Sequence, residues 1–299
     1  MRPLVSLVTW LKGLPRITVV TVSLFLFFGI FGPWIAPMDP SAQDLSLMGQ
    51  GPSATHWLGT DHLGRDTLSR LMVAANTSLT SVGMVLAIAM TIGITMGTIA
   101  GYCRGWVEDL LMRLVDVGLS IPSLIISLAV IGIVGPGYWS MVFALALAWW
   151  PMSARISRAV AVSIMNKPHI EALRVLGASP LRIYFNHLLP GTIGSVMVYA
   201  TADAGMAAIA VATLSFLGLG IQPPTPEWGQ MLVDALPYLE SDPRQVILPG
   251  LALTAAVIGF NTLGETIALN RVPKRLSRRQ LLTRRMEVAG WHKETSDAA

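Results

Sequence analysis

Six long apolar runs constrain this chain more than any other feature. They cover residues about 17–36, 78–102, 117–135, 138–157, 191–217 and 248–268 and carry almost no charge. A helix rising 1.5 Å per residue needs about 20 apolar residues to cross a hydrocarbon core about 30 Å thick, and the runs have that length. A transmembrane barrel would alternate apolar and polar positions, which these runs do not. Unbroken apolar segments satisfy their backbone groups in lipid only as helices. Composition agrees: 13% of the 299 residues are charged, against about 25% in soluble domains. The expected class is an all-α polytopic membrane protein with six transmembrane helices.

Lys and Arg positions set the expected orientation. Eighteen of the 21 fall on one side, in residues 1–16, 103–116, 155–187 and 271–299. Only Arg65, Arg70 and Arg244 fall on the other, so both termini are expected in the cytoplasm. The first run follows Lys12 and Arg16 and ends at Pro33, Trp34 and Pro37. Its length favours an uncleaved anchor over a signal peptide. The division is then 1–36, an N-terminal segment and first span; 37–77, an extracytoplasmic segment with an interfacial helix; and 78–270, a core of five spans. Residues 271–299 form a basic tail. The core includes a cytoplasmic loop, 158–190, and an extracytoplasmic loop, 218–247. Eight acids lie in the two outside segments: Asp39, Asp44, Asp61, Asp66, Glu227, Asp234, Glu240 and Asp242. Lys274-Arg275 and Arg278-Arg279 suit anionic lipid, which leaves no role for nucleic acid. Cys103 is the single cysteine, so no intrachain disulfide forms.

Within the spans, Gly93, Gly97 and Gly101 recur every four residues and permit close helix approach. Pro122 and Pro151 kink or begin their helices. Asp203 is the one acid deep in a span, a pathway or subunit-interface candidate, with packing as the plain alternative. Asn261 is expected to make an interhelical hydrogen bond, and Glu265 to pair locally with Arg271. The chain has no G-x-x-x-x-G-K-[ST], H-E-x-x-H or G-x-S-x-G. It therefore lacks a phosphate-cradling loop and the commonest hydrolase signatures. His56 and His62 share a segment with Asp61, but neither a catalytic nor a metal site is expected.

Residues 171–190 read as two short helices on the cytoplasmic face. Gly177 ends the first with positive φ, Ser179 caps the second and Pro180 opens it, with Pro190 preceding the fifth span. Such a ledge suits a soluble partner. The run Glu171-Ala172-Leu173, Gly177, then Leu189-Pro190 resembles the EAA signature of bacterial ABC importer permeases, with Leu173 for an alanine and His187 for an isoleucine. His56-Trp57-Leu58-Gly59-Thr60-Asp61, Gly64-Arg65-Asp66 and Leu68-Ser69-Arg70-Leu71 resemble a motif of the DppC/OppC kind of dipeptide, oligopeptide and nickel transport permeases. Leu214–Gly220 and Gln222–Gly229 are similar to an outside loop of that subfamily.

The resemblance implies the type I ABC importer permease fold in a bacterial inner membrane. It places Glu171, Ala172, Leu173, Gly177 and Ala178 at the contact with an ATPase subunit. Asp61, Arg65, Asp66, Arg70 and Trp228 become candidates for an outer gate or docking face, Trp228 as a headgroup-level anchor. Asp66 and Arg70 have the spacing of an i,i+4 pair. Implied partners are a DppB/OppB-like permease, two DppD/DppF-like ATPase subunits holding ATP and Mg, an extracytoplasmic solute-binding protein and lipid. The chain itself carries no cofactor and is not an enzyme. Two departures stand out: Val211 occupies a position usually acidic, and Asn261-Thr-Leu-Gly264-Glu265-Thr-Ile-Ala268-Leu269 loses the Arg/Asp end of the familiar closing motif. The function implied is ATP-driven import of peptides or similar small solutes. An ion-coupled carrier is the rival, resting on Asp203 alone.

Overall fold

The computed structural model describes residues 16–271. Ten helices form the frame: α1 Arg16–Ile35, α2 Thr67–Cys103, α3 Gly105–Ser120, α4 Ser123–Val134, α5 Tyr138–Met165, α6 Pro168–Val175, α7 Pro180–Ile183, α8 Leu189–Phe216, α9 Trp228–Ala235 and α10 Arg244–Arg271. Between residues 37 and 66 the chain is mostly irregular, with a 3₁₀ turn at Leu45–Leu47 and an isolated bridge pairing Thr60 with Asp66. Four helical stretches, Thr18–Ile35, Thr67–Cys103, Pro180–Phe216 and Arg244–Ala268, are long and apolar enough to cross a bilayer. Helices α3 and α4 meet at 89° and together would supply a fifth span. Helix α5 covers the remaining apolar run and carries Arg155 and Arg158 in its second half.

The glycine stripe does the work its spacing suggests. A Cβ on Gly93, Gly97 or Gly101 would run into Ser153, Ala154, Ser157 or Ala161 of α5. Small residues on both faces let α2 and α5 form the most extensive helix pairing in the bundle. Around them, Val82, Val85, Met141, Leu145, Ala208, Val211 and Leu214 join α2, α5 and α8 in one apolar core. Val211 is fully buried there, so a carboxylate at that position would have lost its hydration without a partner. Pro122 sits before α4, where its missing N–H costs no helical bond, and the chain turns at that point.

Three expectations need correction. Helix α2 starts at Thr67, capped by Asp66, and runs unbroken to Cys103. Residues 61–66 are therefore a turn, and no separate interfacial helix precedes the span. Helix α7 passes through a π turn, Tyr184–Leu188, straight into α8, so Pro190 does not divide them. The Leu189 N–H reaches back five residues to the Tyr184 carbonyl. That wider turn places Pro190 in the first turn of α8, where a proline is tolerated. Asn261 makes no side-chain hydrogen bond among the described residues; its side chain fills the space left by Gly205 of α8. The expected Glu265–Arg271 pair and the basic tail lie outside the described side chains.

Candidate functional site

Two regions at opposite ends of α8 gather the residues singled out from the sequence. The first is the ledge formed by α6 and α7. Pro168 opens α6, Glu171 lies in its first turn and Arg174 in its last, each favourable to the helix dipole. Gly177 adopts φ +78° and ends the helix. Its N–H donates to the Arg174 carbonyl at 3.0 Å, and the Ala178 N–H donates to the Leu173 carbonyl at 3.0 Å. These two bonds make a Schellman motif. Ser179 then caps α7, accepting from the Arg182 N–H at 3.4 Å. Ile170, fully buried with Ile164, Met165, Ile183 and Leu188, fastens the ledge to the end of α5 and the start of α8.

Glu171, Ala172 and Gly177 are exposed, whereas Leu173 and Ala178 are half-buried against the Ile170 cluster. The ledge also shows side chains that the motif did not mark. Val175 is 83% exposed, Leu176 81% and Leu181 70%, and Phe185 is exposed near Leu181. Large apolar groups presented this way on a rigid turn mark a surface that something covers. Their signal in the sequence was the apolar Val175-Leu176 pair at the end of a helix read as lying on the surface. Tyr184 ties the π turn to α2, its hydroxyl 2.8 Å from Thr98 Oγ1 and its ring edge-on to Tyr102.

The second region lies at the far end. Asp61 Oδ2 accepts from Arg65 Nε at 2.6 Å and lies 3.3 Å from Arg70 Nε, while Oδ1 accepts the Leu63 and Arg65 backbone N–H groups. Asp234 of α9 completes the cluster, its Oδ2 3.8 Å from Nη2 of both arginines. Both arginines are only 2% exposed. Arg65 Nη2 has no hydrogen-bond partner among the described residues and borders a cavity of about 20 Å³, room for about one water. The expected Asp66–Arg70 pair does not form. Asp66 is committed to the cap, accepting from the Ser69 N–H at 2.8 Å and Oγ at 2.6 Å, and to His56 Nδ1 at 3.0 Å.

The neighbouring loop joins the same cluster. His62 stacks on Tyr238 at 5.1 Å, and its backbone N–H donates to Gln245 Oε1. Burial holds the His62 imidazole below its ordinary pKa, against the pull of Asp61. Asp242 is drawn up by burial, but hydrogen bonds from Arg244 and Gln245 outweigh this and hold it below the usual carboxylate range. Trp228 is not a headgroup anchor: it is 1% exposed, edge-on to Phe25 at 5.6 Å, and wedged against Ala74, Ala75 and Ala256. Glu227 explains the difference. Fully buried, it caps α9 by accepting from the Gln230 N–H at 3.0 Å and accepts from Ser78 Oγ of α2 at 3.0 Å. That cap draws Trp228 inward. Asp203 is half-buried on α8 and has no hydrogen-bond or ion-pair partner among the described residues. Within those residues no group of His, Cys, Asp and Glu could hold a metal.

Residues 93–276 match the family described as binding-protein-dependent transport system inner membrane component. The chain is 39% identical over 252 residues to the nickel transport system permease protein NikC of Escherichia coli (strain K12), which covers 84% of this chain and 91% of that protein. To the glutathione transport system permease protein GsiD of Pectobacterium atrosepticum it is 37% identical over 261 residues, covering 86% and 87%. Among solved structures it superposes on a chain of the MetNI methionine ABC transporter in an inward-facing conformation. The TM-score is 0.54 at 20% identity, over 66% of this chain and 94% of that one.

Proposed function

The chain belongs to the family of binding-protein-dependent transport system inner membrane components, and from that membership we propose that it couples ATP hydrolysis by partner subunits to import of a small hydrophilic solute. It is a multi-pass transmembrane permease subunit of an ABC importer with the type I permease fold. The finer reading has α1, α2, the bent α3–α4 pair, α5, α8 and α10 as six spans, with both termini and the ledge in the cytoplasm. The Lys and Arg distribution supports that orientation. The outer ionic cluster then faces the solute-binding protein's side.

The observation carrying the proposal is the ledge. Glu171, Ala172 and Gly177 lie beside exposed Val175 and Leu176 on a rigid, doubly capped turn seated on the ends of α5 and α8. An ATPase subunit docking there moves both helices together. ATP and Mg stay with the ATPases; this chain supplies the ledge and half of the pathway, the other half coming from a second permease. Nucleotide binding drives the change only if the ATPases hold the two arrangements of the ledge with different affinity. Peptides, glutathione and nickel chelates fit the solute class, by analogy with relatives named for nickel and glutathione transport.

Uptake into proteoliposomes holding the whole complex tests this, with labelled dipeptide, glutathione and nickel offered in turn. Accumulation of one of them should require both ATP and the binding protein. Accumulation driven by a proton or sodium gradient without ATP would establish the ion-coupled carrier instead.

A further inference from the structure

Helix α3 has three distinct sides. Val115 is buried, Gly118 meets Pro151, and Glu108 accepts from Arg158 Nε at 2.6 Å, so one side is fixed to α5. Trp106, Leu110, Leu114 and Val117 form a second, exposed apolar side. Asp109, Arg113, Asp116 and Ser120 form a third, also exposed. Their spacing, i, i+4, i+7 and i+11, puts them on one helical face. Asp116 pairs with Arg155 of α5, adding a second cation to that face. A span surrounded by lipid needs no such side: α4, the other half of the same bent pair, is SLIISLAVIGIV with no charge at all.

Charged groups within a span face water or one another. The polar side of α3 also borders α5, which leads directly into the ledge, and ends at Ser120, beside the elbow before Pro122. We propose that Asp109, Arg113, Asp116 and Ser120, with Arg155, line the cytoplasmic half of the solute pathway. This rests on reading the chain as a permease. Two acids and two bases cancel, so the wall offers a partner to each end of a zwitterionic solute. Both α3 and α4 pack on α5, so they move with it, opening or closing that half as the ledge moves.

Single cysteines at 109, 113 and 120, and at 110, 114 and 117, in a Cys103→Ser background test the placement. Inside-out vesicles holding the whole complex are treated with a membrane-impermeant thiol reagent, nucleotide-free and trapped with ATP and vanadate. The polar set should label readily without nucleotide and about fivefold more slowly when trapped, and the apolar set slowly in both. Equal rates for the polar set in the two states would make α3 a helix lying on the bilayer surface and overturn the proposal, as would faster labelling of the apolar set. ATP-driven uptake by the same vesicles reports separately on the permease reading. Arg113→Glu should lower uptake about fivefold, and adding Asp109→Arg, which restores neutrality, should recover it. Unchanged uptake in Arg113→Glu would remove the charge-balanced wall.

Discussion

Replacing Leu176 with Asp is expected to cut ATP-driven uptake about tenfold or more while leaving the subunit as stable as before. Leu176 is 81% exposed and Val175 83%, so neither side chain does much for the fold of the free subunit. Covering a Leu of that size on docking contributes about 1.5–3 kcal/mol, and 1.4 kcal/mol is about tenfold in affinity. An aspartate there forfeits that contribution and must be desolvated as well. Glu171→Arg should act in the same direction by reversing the charge at the start of α6. Gly177→Val makes a useful contrast, because φ +78° strains any β-branched residue and the ledge itself would loosen. Uptake, ATPase rate and thermal unfolding of the purified complex separate these outcomes. Normal uptake by Leu176→Asp would mean that the ledge is not where the ATPase docks.

Much of this ledge was legible because its signals are local. A glycine with positive φ, a serine cap and a proline at the first helical position lie within four consecutive residues, 177–180, and each acts through its own backbone. The apolar runs were legible for the same reason, since crossing lipid is a property of one helix at a time. The glycine stripe was readable as close packing, though not its partner helix. What escaped depends on distant partners. Asp66 and Arg70 have good pairing geometry on paper, but Asp66 spends its oxygens on the α2 cap and His56, and Arg70 turns to Asp61 and Asp234. Nothing near residue 70 announces Asp234. Trp228 looked like a headgroup-level anchor because it lies in a loop read as outside the membrane; the buried cap made by its neighbour Glu227 turns it into the core. The right-angle elbow between α3 and α4 was visible only as a proline.

The largest expected effect on stability comes from Arg70→Met. Its guanidinium is buried between Asp61 and Asp234 and also donates to the Pro40 carbonyl at 3.3 Å. Removing one member of a buried ionic cluster leaves uncompensated charge behind, typically destabilising by about 3–5 kcal/mol. Asp66→Asn should cost much less, since asparagine also caps helices and only the His56 contact changes character. The cluster joins residues 61–70 to α9, and the Glu227–Ser78 contact joins α9 to α2. Arg70→Met should therefore loosen α9 as well, seen as faster hydrogen exchange at residues 228–235. A variant as stable as the parent, with α9 protection unchanged, would mean that the cluster does not hold α9 in place.

Transport coupling turns on whether the ledge touches the ATPase. A photo-crosslinking residue at position 176, with a control at position 239 at the opposite end of the bundle, measures that contact in the assembled complex. Both parent side chains are exposed, so neither substitution disturbs the core. Illumination should join position 176 to an ATPase subunit and leave position 239 unlinked to it. An ATPase adduct from 239, or none from 176, would contradict both the docking surface and the orientation of the chain in the membrane.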